Sequence, residues 1–135
     1  MVFDDPARDP RGWVLSVAHL AVIPYAALSD VLIADPDRVR LAPVSRPGPL
    51  PFDHPAIVRA AKEELRRRYA DRPDPERLLG PRFTIRELQD IHEAIVGTNL
   101  QKDTFRRAME PRLRRTETWS TGTVGRPSQR FTRAR

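Results

Sequence analysis

The sequence predicts an α+β fold built from two units, and three observations carry that expectation. The stretch WVLSVAHLAVI, Trp13–Ile23, is apolar at nearly every position and rich in β-branched residues, which suits a strand buried on both faces. Segments 54–70, 84–96 and 101–109 repeat apolar residues at helical spacing. Segments 112–119 and 129–133 flank the turn STGTVGRP and read as a two-stranded hairpin.

Each element follows in order. After the loop FDDPARDPRG comes the Trp13–Ile23 strand; only Ser29–Ile33 and Val39–Val44 offer further short strands beside it. Two such neighbours cover a central strand poorly, so sheet elements are expected upstream of Met1. SRPGPLPFD, residues 45–53, is loop. Asp53 is a good N-cap, Pro55 is tolerated in the first turn, and the helix runs to about Ala70. It sets Ile57, Ala60, Ala61, Leu65 and Tyr69 on one face. Arg66, Arg67 and Arg68 read as a solvated helix end that complements the macrodipole. The turn-rich Asp71–Pro75 marks the boundary, giving units 1–75 and 76–135.

The second unit opens with a capping box, Thr84 and Glu87, on a helix carrying Ile85, Leu88, Ile91, Ile95 and Val96. Gly97 ends it. After the turn Thr98–Leu100 a second helix, about Gln101–Met109, turns Phe105 and Met109 inward and leaves Lys102, Arg106 and Arg107 outside. Pro111 stops it. Helix, short turn, helix and two-stranded wing together spell a winged helix-turn-helix.

Composition narrows the function classes. The chain has 135 residues, no cysteine and 14 prolines, which excludes a disulfide framework and any thiolate site. His19, His54 and His92 show no metal-binding spacing, and no metal or cofactor is expected. The apolar run from Val14 to Ala27 is too short for a membrane span, and the acidic start lacks the positive end of a signal peptide; a cytoplasmic protein is expected. The net charge of +6 is uneven. Residues 1–100 hold 14 Lys/Arg against 15 Asp/Glu, whereas residues 101–135 hold 10 against 3. That asymmetry fits either a polyanion partner or a solvated basic tail.

Several segments resemble the Nudix-related transcriptional regulator family, NrtR-like proteins. They are FDDPARDPRGWVLSVAHLAVIP, PFDHPAIVRAAKEELRRRY, FTIRELQDIHEAIVG, KDTFRRAM and GRPSQRF, which in this order are spread along the chain from Phe3 to Phe131. The resemblance implies the C-terminal half of a Nudix α/β/α sandwich followed by a winged-helix DNA-binding domain, with the first half of the Nudix domain missing. No segment fits the Nudix box. Lys62-Glu63-Glu64-Leu65 lacks its Gly and Arg-Glu pair, so the carboxylates that would hold Mg²⁺ against a diphosphate are not there. An enzyme is therefore not expected. The recognition helix also departs from the family, with Asp103 and Thr104 where Arg and Asn are usual.

A winged helix sets its second helix in the major groove, which assigns Lys102, Thr104, Arg106 and Arg107 to DNA. Base reading and phosphate contact both remain open for the two arginines. Arg126 and Arg130 are assigned to the wing. Arg114 and Arg115 alternate on a strand, so one of them at most faces the duplex; Arg114 is assigned to DNA. Trp119 either packs in the core or an interface, or stacks on nucleic acid. The family further implies an ADP-ribose-like effector near Asp4, Asp5, Arg8, Asp9 and Arg11, with Asp5, Arg8 and Arg11 as the contacts; a turn held by Asx chemistry is the alternative. The leading expectation is a homodimeric regulator of NAD or sugar-related metabolism on a two-fold operator. The alternatives are a Nudix-type hydrolase completed by another chain and a winged helix used for protein contact. RNA binding lacks an exposed aromatic platform.

Overall fold

The computed structural model describes residues 1–28, 40–120 and 127–134. They divide into two compact units, Met1–Glu64 and Leu65–Arg135.

In the first unit, strand β1 (Val2–Phe3) pairs antiparallel with β2 (Ser16–Val17), Val2 opposite Val17. A 3-10 turn follows at Tyr25–Ala27, and helix α1, His54–Tyr69, begins in this unit and continues into the second from Leu65. The long buried strand expected over Trp13–Ile23 is not formed. Only Ser16–Val17 pair, and Trp13 is 72% exposed, with Val14, Leu15, Val17 and Ile23 also open to solvent. A strand can bury both faces only when layers and neighbours exist to cover them. Here its described partner is two residues long. Trp13 instead donates its indole N–H to the Asp4 carbonyl at 2.9 Å. Of the two flanking strand candidates, positions 29–39 lie outside the described residues, and 40–44 form no strand.

None of the described residues of this unit is fully buried. A polar clasp does the organising. The Arg8 guanidinium donates to both Asp53 carboxylate oxygens at 2.8 Å, to the Val14 carbonyl at 3.3 Å and to the Ser16 hydroxyl. Asp53, expected as the helix N-cap, has both oxygens engaged by Arg8, while its carbonyl accepts from Ala56 and Ile57 as α1 begins.

The second unit holds the core. Strand β3 (Phe83–Thr84) leads into helix α2 (Ile85–Val96), then come helix α3 (Lys102–Met109), a 3-10 turn (Glu110–Arg112), and strands β4 (Leu113–Trp119) and β5 (Gln129–Arg133). The sheet order is β3-β5-β4, all antiparallel. β3 is too short to announce itself in the sequence, yet it places Phe83 opposite Phe131.

Local chemistry explains the helices. The Thr84 hydroxyl accepts from the Glu87 amide at 3.2 Å, and the Glu87 carboxylate accepts from the Thr84 amide at 2.7 Å, closing the capping box. Gly97 ends α2 at φ 85°, a left-handed conformation that favours glycine. In the turn to α3, Glu93 accepts from the Leu100 amide at 2.8 Å, and Gln89 donates to the Leu100 carbonyl at 2.9 Å. Pro111 in the 3-10 turn prevents α3 from continuing. Phe83, Leu88, Phe105, Met109, Leu113 and Phe131 pack into one core.

A second, polar centre sits beside that core. Asp74, within the stretch read as a plain turn, is fully buried at φ 47°. Its carboxylate accepts from the Tyr69 hydroxyl at 3.0 Å and from the amides of Leu78 and Leu79 at 2.8 and 2.9 Å, and it pairs with Arg133. Arg133 also lies over the Phe83 ring, 5.1 Å from its centroid. Burial pushes the Asp74 carboxyl up, but Arg133 and the donated hydrogen bonds outweigh it and hold the group below the ordinary carboxylate range.

Candidate nucleic-acid interface

Helix α3 is short and strongly two-sided. Phe105 and Met109 point into the core, which obliges Lys102, Asp103, Thr104, Arg106 and Arg107 to remain exposed. The Gln101 side chain accepts from the Thr104 amide at 2.5 Å and caps the helix. Arg107 donates from Nε to the Asp103 carbonyl at 3.3 Å.

Arg106 is held differently. Its Nε donates to Glu110 Oε2 at 2.6 Å, and Arg115 Nη2 donates to Glu110 Oε1 at 2.5 Å. One carboxylate therefore bridges a helix arginine and a strand arginine. The hydrogen bonds from Arg106 and then Arg115 keep the Glu110 carboxyl below its usual range, so it stays ionised. Glu110 raises the Arg106 guanidinium in turn.

Around this bridge lies an open cleft of about 670 Å³, with Lys102, Arg106, Arg115, Trp119, Gln129 and Arg86 among its lining residues. A second, shallower groove on α3 adjoins it and takes in Arg107 beside Arg106. Arg106 thus borders both depressions, with Lys102 lining the first and Arg107 the second.

The register of the sheet divides the remaining arginines. Arg115 stands opposite the core residue Phe131, on the sheet face that carries the helices. Arg114 stands opposite Thr132, one residue out of phase and so on the other face, together with Arg130 two residues along β5. Arg130 Nε is buried and has no hydrogen-bond partner among the described residues. Arg126 lies outside the described residues. Trp119 is not in the core: it is 55% exposed at the edge of the cleft.

In the N-terminal loop, Asp5 accepts from the Ala7 amide at 2.8 Å, an Asx turn. Asp9 accepts from the Arg11 amide at 2.9 Å and pairs with its guanidinium at 2.7 Å; these bonds draw the Asp9 carboxyl down to about 2. Arg8 is spent on the clasp to Asp53, whereas the Arg11 side chain is 78% exposed and its guanidinium sits 5.7 Å from the Phe52 ring centroid.

Comparison with known proteins fits this geometry. Residues 75–132 match the family model of the NrtR DNA-binding winged helix domain. A curated relative, the ADPR responsive transcriptional repressor NtrR of Acinetobacter baylyi, is 36% identical over 104 residues, which are 76% of this chain and 41% of that protein. The crystal structure of Shewanella oneidensis NrtR complexed with a 27mer DNA superposes with a TM-score of 0.78 at 31% identity, covering 98% of this chain and 62% of that one. The chain is NrtR-like. A MutT/nudix family protein from Enterococcus faecalis, at 20% identity and a TM-score of 0.60 over 100% of this chain and 60% of its own, shows likeness of fold alone. The α+β expectation of Nudix-type and winged-helix parts therefore holds. The chain spans 41% to 62% of these relatives' lengths.

Two residues of the NrtR-like winged helix escaped sequence reading. Glu110 drew no reading at all, and Arg115 was set aside in favour of its neighbour Arg114. The spacing of Arg106 and Glu110 at i,i+4 was the one available signal. Part of the basic excess also proves structural: Arg133 serves Asp74, and Arg112 donates to the Asp71 carbonyl.

Proposed function

We propose that this chain is a transcriptional regulator, not an enzyme, whose C-terminal unit, residues 76–135 after an N-terminal unit 1–75, binds double-stranded operator DNA. The observation that carries this is the set of exposed cations Lys102, Arg106 and Arg107 on a helix fixed from beneath by Phe105 and Met109. Such a helix fits a major groove, with Lys102, Thr104 and Arg106 reaching toward base edges and Arg107 toward phosphate. Arg126, outside the described residues, is proposed to meet phosphate or enter the minor groove. Arg114 and Arg130, on the other sheet face, contribute positive potential around the wing.

We further propose a cytoplasmic homodimer, since two-fold operators match two-fold proteins. An ADP-ribose-like nucleotide effector is carried over from the named response of the Acinetobacter relative, and control of NAD or sugar-related metabolism is proposed beside it. Of Asp5, Arg8 and Arg11, Arg11 is the one with a guanidinium open enough to meet an anionic ligand.

Fluorescence anisotropy with labelled duplex DNA across a salt series tests the DNA reading. Six phosphate contacts give a log–log slope of roughly −5. A slope near zero, or no binding at low salt, refutes it.

A further inference from the structure

The bridge at Glu110 does more than neutralise two arginines. The Glu110 side chain is largely covered, at 19% exposure, while those of Arg106 and Arg115 are 52% and 70% exposed. The acid therefore lies below and the two cations stand above it. Glu110 takes Arg106 through Nε, so the terminal Nη1 and Nη2 are left over, and they make no protein hydrogen bond among the described residues. Arg115 is held through a single Nη2, and its other nitrogens make no protein hydrogen bond among the described residues. Each guanidinium is thus fixed at one edge, and both arginines line the cleft together with Lys102 and Trp119.

A long arginine side chain loses much rotamer freedom when it binds, and a partner that fixes it beforehand removes that cost. A carboxylate placed this close to a phosphate site also repels it, so it lowers general affinity for DNA. The two effects together favour a correctly placed acceptor over an arbitrary one.

We infer that Glu110 is a positioning residue that sets Arg106 and Arg115 as a paired clamp on duplex DNA, and that Arg115 is an additional DNA-contacting residue. The inference rests on the DNA-binding reading and deepens it. Arg106 offers its terminal fork to a guanine edge or a phosphate. Arg115, rising from the strand across the cleft, meets the neighbouring phosphate.

The test uses the full chain and a labelled duplex enriched by it from a random-sequence pool, beside a scrambled duplex of the same composition. Glu110→Gln keeps the shape but not the charge. It is expected to hold or raise affinity for the scrambled duplex and to weaken the enriched one, so that the ratio between them falls about tenfold. Arg115→Gln is expected to reduce the magnitude of the salt slope by about 0.9, the share of one phosphate contact. Circular dichroism melts establish that both variants fold. If Glu110→Gln weakens both duplexes equally, or Arg115→Gln leaves the slope unchanged, the clamp is wrong while DNA binding stands. If the unmodified chain enriches no duplex at all, the DNA reading fails and takes the clamp with it.

Discussion

Replacing Asp74 gives the sharpest check on how the winged helix is held together. Its carboxylate is fully buried and serves four donors: the Tyr69 hydroxyl, the amides of Leu78 and Leu79, and the Arg133 guanidinium. Removing one partner of a buried ion pair costs about 3–5 kcal/mol, because the other charge is left without compensation. Arg133 is partly exposed and regains some hydration, which pulls the figure toward the lower end. Against that, the φ of 47° at position 74 is strained for alanine, adding about 1 kcal/mol. Asp74→Ala is therefore expected to cost about 4 kcal/mol, close to the whole stability that a core of this size supplies. Asp74→Asn separates the terms, since asparagine tolerates the left-handed region and keeps one acceptor oxygen. Its expected cost is about 2 kcal/mol, from the lost charge and the mismatched amide. Urea titration followed by far-ultraviolet circular dichroism reads both. With a slope near 1 kcal/mol per molar, Asp74→Asn lowers the midpoint by about 2 M, and Asp74→Ala leaves no cooperative transition. Should Asp74→Ala melt cooperatively with its midpoint barely moved, the polar centre is not what secures the unit.

Two further perturbations probe the same unit. Gly97→Ala is expected to cost about 1 kcal/mol by forcing a Cβ into the left-handed region, while Gly97→Asn is nearly neutral in the same urea assay; an added Cβ meets nothing closer than Arg66 at 3.6 Å, so equal losses in both variants point to a clash instead and refute the conformational account. His92 is buried with an unpartnered Nε2, and burial pushes its pKa down despite the nearby Asp74; the unfolded chain therefore takes up the proton first, near pH 6.5, and stability falls as the pH drops below that value. His92→Gln should flatten the dependence just below about pH 6.5, leaving the loss at lower pH as carboxylates held down in the fold, Asp74 among them, are protonated. A slope unchanged by the substitution assigns the effect to other groups.

What was legible in the sequence was local. The pair Thr84 and Glu87, followed by Gly97, marks both ends of α2 through bonds that span three or four residues. Phe105 and Met109 fall four apart and had to share a face. Illegible features depend on distant partners. The Trp13–Ile23 stretch has the composition of a buried strand, but composition does not reveal whether neighbours are present to cover it. Asp74 reads as a turn residue because its principal cation, Arg133, lies 59 positions away. The choice between Arg114 and Arg115 needs the strand register, and a shift of one residue reverses the face. β3 is simply too short to show a period.

These misses share a direction that bears on the recognition surface. The outward face of α3 is set by its inward contacts: Phe105 packs edge-on against His92, with ring centroids 5.0 Å apart, and His92 packs likewise against Tyr69 at 5.2 Å. Tyr69 in turn is tied by its hydroxyl to Asp74. The rotation of α3 about its axis, and with it the heading of Lys102 and Arg106, thus depends on an aromatic row that ends in the same carboxylate that pairs with β5 through Arg133. Glu110 then fixes the Arg106 guanidinium through its Nε edge. An arginine directed toward a base edge must be placed to a fraction of an ångström, and neither the core alone nor the surface bridge alone supplies that. A change at Asp74 too mild to unfold the unit should therefore reach DNA as a loss of sequence preference before a loss of salt-dependent affinity, because phosphate attraction tolerates a tilted helix and base reading does not.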